Sequence, residues 1–317
     1  MPRTAENLTI WRQGDGDGFG RRPQLLRHTL ASSPLFSDEA IAGLIEASPR
    51  DRFHVNTMPR DATDPRKWRE GDMSGLSGHD VLAAVTKGNL WVHLQRVQDT
   101  DPAYKTVLDR LFAEIAEHVP GFRSYKRSMS VLISSPRMNV ALHSDMPGQS
   151  LWQVRGVKRV WIYPPNAPYL PQRTLEDIVL KRSSDTQLPY DASFEDGALS
   201  YELTAGDWAT WPRAAPHRVV NGDCVNVSFT TEHWTDALRA GYAVDYANGL
   251  LRPAFAGRDL DRSTQGPAFW GKLAVTAAHK TWRSARGATT LPMTVDFRVD
   301  PTCDAGFSDI APYDIMK

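Results

Sequence analysis

Val140-Ala-Leu-His-Ser-Asp-Met-Pro-Gly-Gln-Ser-Leu-Trp-Gln-Val-Arg-Gly-Val-Lys-Arg-Val-Trp-Ile-Tyr-Pro-Pro165 decides the reading of this chain. His143 and Asp145 stand two apart in it. Side chains at i and i+2 of a strand point to the same face, so this imidazole and carboxylate can aim at one point. Such a pair supplies two ligands of the 2-His-1-carboxylate facial triad that holds non-haem Fe(II). The third should be a histidine from a distant strand. His217, in Trp211-Pro-Arg-Ala-Ala-Pro-His-Arg-Val-Val-Asn221, is the best candidate. Asp145 stands where the strand runs into Met146-Pro147-Gly148, so it lies on the ladder or in the turn.

Lys158 follows on the alternating run Val154 to Tyr163. It shares its strand face with Gly156 and Val160, while Arg155 and Arg159 point the other way. A lysine on a mostly apolar strand is costly to bury unless an anion neutralises it. A bound dicarboxylate would do so; a solvated strand lysine is the plainer alternative.

His-X-Asp, a turn, Leu-Trp-Gln-Val-X-Gly-X-Lys-Arg-Val-X-X-Tyr-Pro and a distal His together resemble the JmjC (cupin-like) family of Fe(II)- and 2-oxoglutarate-dependent oxygenases. The bacterial and asparaginyl-hydroxylase-like members are the nearest in pattern, and the match covers roughly Ser130 to Trp234. The resemblance implies a double-stranded β-helix, with Fe(II) on His143, Asp145 and His217, 2-oxoglutarate as cosubstrate and O2 as oxidant. It places Lys158 on the distal carboxylate of 2-oxoglutarate. Many relatives have Thr or Ser three residues before the first His, where this chain has Val140, and several have Asn four after the Asp, where it has Gln149. Gln149 and Ser228 are further cosubstrate candidates, with Asn139, Asn226, Trp152 and Tyr125 behind them; Trp152 reads more simply as core. The implied reaction hydroxylates a C–H bond of a protein side chain, peptide, amino acid or other small metabolite, releasing succinate and CO2. N-methyl-lysine demethylation uses the same oxidant and ranks lower, because no chromatin-reader module or zinc motif accompanies the barrel. Two other classes stand beside it: a cupin-like protein that binds a metal or small acid without turnover, and a cupin enzyme that does not use 2-oxoglutarate. Lys158 discriminates them.

Composition sets the frame. The 317 residues suffice for a large core. Lys+Arg and Asp+Glu balance at 37 each, so nothing overall points to a polyanion partner, although a local patch is compatible with that balance. Two cysteines, Cys224 and Cys303, form no disulfide framework, and a reducing cytoplasm is the expected compartment. The N-terminus, with Glu6 and no apolar run, does not read as a signal peptide, and no stretch has the length of a membrane span.

The chain divides into N-terminal decoration (1–127), a jelly-roll core (128–234) and a C-terminal helical region with a tail (235–317). Gly14-Asp-Gly-Asp-Gly-Phe-Gly20 reads as a loop, lacking the Glu of an EF-hand and the Lys-Ser/Thr of a P-loop. Helices are expected after Ser37, after Ser77 with Gly88 at C′, after Asp101-Pro102, over Leu175–Val179, over Thr235–Asn248 with Gly249 as stop, and over about Phe269–Arg283. Strands are expected at 53–56, 90–95, 128–134, 201–212, 225–231 and 294–299. The polar loop 57–75 and insertion 166–198 are expected to frame a substrate mouth. His233 reads as structural, since its neighbour Glu232 faces the other way; His54, His79, His93 and His118 have no ligand-like partner in sequence. In relatives, helices after the barrel often form a dimer interface, which implies a homodimer here.

Overall fold

The computed structural model describes residues 7–58, 68–186, 188–255, 258, 260–286 and 292–316. The N-terminal part comprises β1 (Thr9–Ile10), α1 (Asp15–Gly18), β2 (Gln24–His28), α2 (Asp38–Ala47), β3 (Phe53–Thr57), β4 (Arg69–Asp72), α3 (Gly78–Lys87), β5 (Trp91–Leu94), α4 (Val97–Thr100) and α5 (Pro102–His118). The barrel follows as β6 (Tyr125–Ser134), β7 (Asn139–His143), β8 (Gly148–Arg155), β9 (Lys158–Ile162), α6 (Gln172–Val179), β10 (Leu199–Leu203), β11 (Asp207–Trp211), β12 (His217–Asn221) and β13 (Asn226–Trp234). Then come α7 (Asp236–Leu251), α8 (Gly266–Ala285), β14 (Pro292–Val299) and β15 (Phe307–Met316). The helix starts follow their capping residues: Ser37 Oγ accepts from Ala40 N, Ser77 Oγ from Asp80 N, and Asp101 from Ala103 N ahead of Pro102 at the first helical position.

One sheet has the order β1-β2-β11-β8-β13-β6-β5-β3-β4-β14-β15, and a second β10-β9-β12-β7. Between β6 and β13 the chain crosses from one sheet to the other at almost every step, with only β9 and β10 adjacent in the same sheet. All ladders within this segment are antiparallel. This is a double-stranded β-helix, the jelly-roll core of a cupin-type fold.

Two-residue alternation decides which core each side chain joins. On β8, Leu151 points between the sheets while Trp152 points outward to the helices. On β13, Val227 and Phe229 point outward, leaving Ser228 and Thr230 for the interior. The outer core is anchored by Trp152 and Trp208, stacked at 4.1 Å between centroids, with Phe229 parallel to Trp152 at 5.4 Å. Burying each such ring contributes about 1.5–3 kcal/mol. Trp152 is therefore core.

Several sequence expectations change. The Gly14–Gly20 run is not all loop but contains the single helical turn α1, where a Cβ on Gly16 would meet His118 O at 2.0 Å. Gly88 is not a left-handed C′ residue: its φ is −89°, and a Cβ there would lie 2.4 Å from Ala305 O, so the glycine permits close approach of the C-terminal hairpin. Gly249 does not stop α7 but lies within it, where a Cβ would approach Leu180 Cδ1 to 2.6 Å. The run Val154–Tyr163 is not one strand. It turns at Gly156 (φ 82°) and Val157, where the chain crosses from β8 in the large sheet to β9 in the small one, so parity cannot be counted across it. The insertion is also less polar in effect than in composition. Leu170, Leu175, Ile178, Val179, Leu180 and Leu188 form a buried cluster with Leu142, Tyr163 and Tyr246. β14 adds to the large sheet by parallel pairing with β4 and is backed by β15, which no sequence signal had indicated. Of loop 57–75, residues 59–67 lie outside the described residues, as do Glu6 and the rest of the first six.

Candidate metal centre

β7 and β12 are neighbours in the small sheet, and His143 pairs directly with His217 in their register. The ring centroids are 4.1 Å apart. Asp145 lies beyond the end of β7, in the turn rather than on the ladder. Three hydrogen bonds hold that turn: Ala214 N donates to Asp145 O (3.0 Å), Ser144 N to Asp185 O (3.0 Å), and the Ser144 side-chain Oγ to Ala214 O (2.9 Å). Ala214 adopts φ 61°, a left-handed conformation that costs a non-glycine residue about 1–3 kcal/mol and is found chiefly where a site requires it.

One ligand atom from each of His143, Asp145 and His217 lies within 4.8 Å of the others. His143 Nδ1 is 2.8 Å from Ala141 O and His217 Nδ1 is 3.0 Å from Ala215 O. A ring nitrogen that donates to a carbonyl carries the proton, so the Nε2 lone pair of each ring is free for a metal. Burial lowers the His143 pKa to about 4, and His217 beside it acts in the same direction. Burial alone would raise the Asp145 carboxyl; the His217 and His143 rings outweigh it and hold the group below its usual value. Asp145 Oδ2 is buried, 3.3 Å from His217 Nε2, and without a hydrogen bond of good geometry. Two imidazoles oriented through Nδ1, one carboxylate and its orphaned oxygen form a donor set that fits a divalent ion.

The triad opens into a cavity of about 480 Å³. Lys158 lies along it, 4% exposed, its Nζ donating to Ser228 Oγ at 2.9 Å. No carboxylate pairs with this ammonium among the described residues, and burial lowers its pKa to about 7. The turn at Gly156 breaks the parity count to that residue, yet Lys158 shares β9 with Val160 and Ile162 and faces inward as they do. Gln149 is buried on β8 and lines the cavity, and its Oε1 has no partner among the described residues. Val140, Leu132, Leu151, Trp211 and Val219 supply apolar wall.

The other candidates separate. Asn226 accepts from Gln153 Nε2 and packs on the turn at Gly156. Asn139 pairs with Val220 at the end of β7 away from the triad. Tyr125 lines a different cleft and does not border the triad cavity. His233 is buried among Phe19, Phe112 and Phe122, consistent with a structural role.

One wall of the cavity was foreseen only in part, through the expectation that residues 57–75, which include Trp68 and Glu70, frame the mouth. β3, β4 and β5 extend the large sheet past β6 and bring His54, Asn56, Glu70, Trp91 and His93 to its inner face, beside Trp68. Asn56 Nδ2 donates to Glu70 Oε2 (2.7 Å), and His54 Nδ1 is 3.1 Å from the same carboxylate. Trp91 stacks on His93 at 5.6 Å and tilts against Trp68 at 5.1 Å. Alternation on 53–56 and 90–95 was visible, but not that these strands would continue the barrel. Glu232 also faces the cavity, opposite in parity to His233, and burial pushes its carboxyl up to about 7. From the insertion, Thr186 reaches the rim; Gln187 lies outside the described residues.

No family model matches the chain, and no curated protein matches it significantly. Among solved structures, the X-ray structure of Escherichia coli ycfD aligns at a TM-score of 0.49 and 16% identity, covering 86% of this chain and 68% of that one. The structure of YcfD, a ribosomal oxygenase from Escherichia coli, in complex with cobalt and 2-oxoglutarate aligns at 0.49 and 16%, covering 87% and 68%. Its complex with cobalt and succinic acid aligns at 0.47 and 15%, with the same coverage. The strand order described above, rather than this likeness, establishes the jelly-roll core.

Proposed function

We propose that the chain is an Fe(II)- and 2-oxoglutarate-dependent oxygenase that hydroxylates a C–H bond of a peptide, protein side chain or small metabolite. One observation carries this reading: a 2-His-1-carboxylate triad and a buried ammonium with no carboxylate partner among the described residues line the same cavity. A metal site alone would suit any cupin. The lysine adds a demand for an anion inside the barrel, and a dicarboxylate that reaches from the metal to Lys158 meets it.

His143, Asp145 and His217 would hold the metal on one face, leaving the other positions open. With iron, the cosubstrate and O2 bound, the centre supplies oxidation of an unreactive C–H bond with release of succinate and CO2. The residues of this chain bind, orient and exclude water. Ala141 O and Ala215 O fix the tautomers of the two histidines. Lys158, seated on Ser228, would hold the distal carboxylate, and Gln149 offers its amide beside it. Val140, Leu151, Trp211 and Val219 keep that part of the cavity dry, which strengthens the ion pair. The wall of Trp68, Trp91, His93 and Glu70 is left for the prime substrate.

The test is 2-oxoglutarate-dependent succinate release in the presence of Fe(II) and O2, which proceeds slowly without prime substrate. The wild type should release succinate, and Asp145→Ala and Lys158→Ala should not. Undiminished release by Lys158→Ala would move the protein to a cupin enzyme that does not use 2-oxoglutarate.

A further inference from the structure

A second cleft, of about 880 Å³, lies behind the turn that carries Asp145. Met146 and Pro147, which follow that carboxylate directly, form part of its wall, and Asp185, whose main-chain carbonyl receives Ser144 N–H, forms another part. The cleft thus adjoins the metal centre without sharing its cavity. Its charge is one-sided. Lys126, Lys181, Arg182, Arg239 and Lys280 line it against the single carboxylate of Asp185. The whole chain carries equal numbers of acidic and basic residues, so this is a local concentration of charge.

Two of these cations have partners within the fold, since Arg182 pairs with Asp177 and Lys280 lies over the Tyr242 and Tyr246 rings. Arg182 lies 3.7 Å from Asp177, while Lys126, Lys181, Arg239 and Lys280 form no ion pair among the described residues. They come from four separate elements: the start of β6, the segment after α6, α7 and α8. Lys126 and Lys181 have φ of 49° and 58°, left-handed conformations that are unfavourable for residues with a Cβ. Burial lowers the Lys280 ammonium below its usual value, and Arg239, Lys126 and Arg283 push it the same way. Such mutual repulsion is relieved by an anion.

We infer that this cleft docks an acidic segment of a polypeptide, presented beside the metal centre by the prime substrate. The floor suits a peptide, since Met146, Pro147, Ile178 and Val179 offer apolar contact between the charges. It suits a nucleic-acid strand less well. Bases bind such grooves by stacking on open aromatic faces. Here the Tyr242 ring has Lys280 Nζ over it at 4.5 Å and the Trp234 ring edge-on at 5.4 Å. Linking this segment to the reaction rests on the function proposed above; the docking itself does not depend on metal or turnover.

The experiment is fluorescence anisotropy on the full chain, with a fluorescein-labelled Glu-rich peptide, its Gln-for-Glu counterpart and a labelled oligouridylate. The Glu-rich peptide should bind at low ionic strength, and the Gln counterpart should not. Added salt should weaken binding, as it does for exposed charges. Arg239→Glu with Lys280→Glu should weaken it about tenfold or more, as loss of complementary rim charge does. His143→Ala should leave it unchanged, which separates docking from the metal-centre reading. Should the charge-reversed protein not fold, Arg239→Gln with Lys280→Gln should show the same loss in smaller measure. Unchanged binding in the folded variants, no binding of the Glu-rich peptide, or tighter binding of oligouridylate would each overturn the inference.

Discussion

Raising the pH from 7 to 9 should weaken 2-oxoglutarate binding about 50-fold, and the cause should be Lys158. Burial takes its ammonium from 10.5 to about 7 when no anion is present. A carboxylate placed against it favours the charged form and raises that value again. Above pH 7, binding must therefore draw a proton from solution. The apparent dissociation constant grows as one plus ten to the power of pH minus 7, from about 2 to about 100 across the interval, or about 2.3 kcal/mol. Titration calorimetry in two buffers of different ionisation enthalpy, with a redox-inert divalent ion in the metal site, reads both quantities. At pH 8 it should show uptake of close to one proton per 2-oxoglutarate. Affinity independent of pH, with no proton uptake, would refute the claim that a neutral buried lysine is charged by the cosubstrate.

Lys158 has a stability counterpart. Its native pKa lies below its unfolded value, so between pH 7 and 10 the unfolded state binds more protons and stability rises with pH. The full difference is about 5 kcal/mol at most. Lys158→Met should accordingly raise the melting temperature of the ligand-free protein at pH 7 while abolishing 2-oxoglutarate binding; a lower melting temperature would mean the ammonium has an unseen partner. His217→Ala should remove Fe(II) binding in equilibrium dialysis, and retention at wild-type affinity would exclude it as a ligand. Gln149→Ala should slow 2-oxoglutarate turnover with metal affinity unchanged, and an unaltered rate would leave its unpartnered Oε1 without a role. Trp152→Ala should cost about 3–5 kcal/mol in denaturant unfolding, because its ring stacks on Trp208 and Phe229 with no exposure.

The jelly roll was legible because strands that alternate in polarity, broken by Gly and Pro, dictate which residues face inward. Leu151 against Trp152, and Ser228 against Phe229, sort themselves by that rule alone. The triad was legible because His143 and His217 lie at the ends of strands that a jelly roll makes adjacent. What failed was punctuation. Gly249 looked like a helix stop yet lies inside α7, and Gly88 does end α3, but each is glycine because another backbone or side chain comes too close for a Cβ, a constraint set by distant segments. The strand parity used for Lys158 held to Val160 on β9 but failed at Gly156, because the turn that crosses between the sheets resets the count. The wall formed by His54, Asn56, Glu70, Trp91 and His93 depends on β5 pairing with β6, a non-local event that short strands do not announce. The basic cleft was hidden in the same way, since Lys126, Lys181, Arg239 and Lys280 are scattered in sequence and the overall charge is zero.

In the proposed function, one cavity holds Fe(II) and 2-oxoglutarate together. Anaerobic titration of the apo-protein with both tests this most directly, read as the visible metal-to-ligand charge-transfer band. The band should appear only when Fe(II) and 2-oxoglutarate are both present, and should be absent in His143→Ala. Fe(II) bound with no band on adding 2-oxoglutarate would contradict the claim.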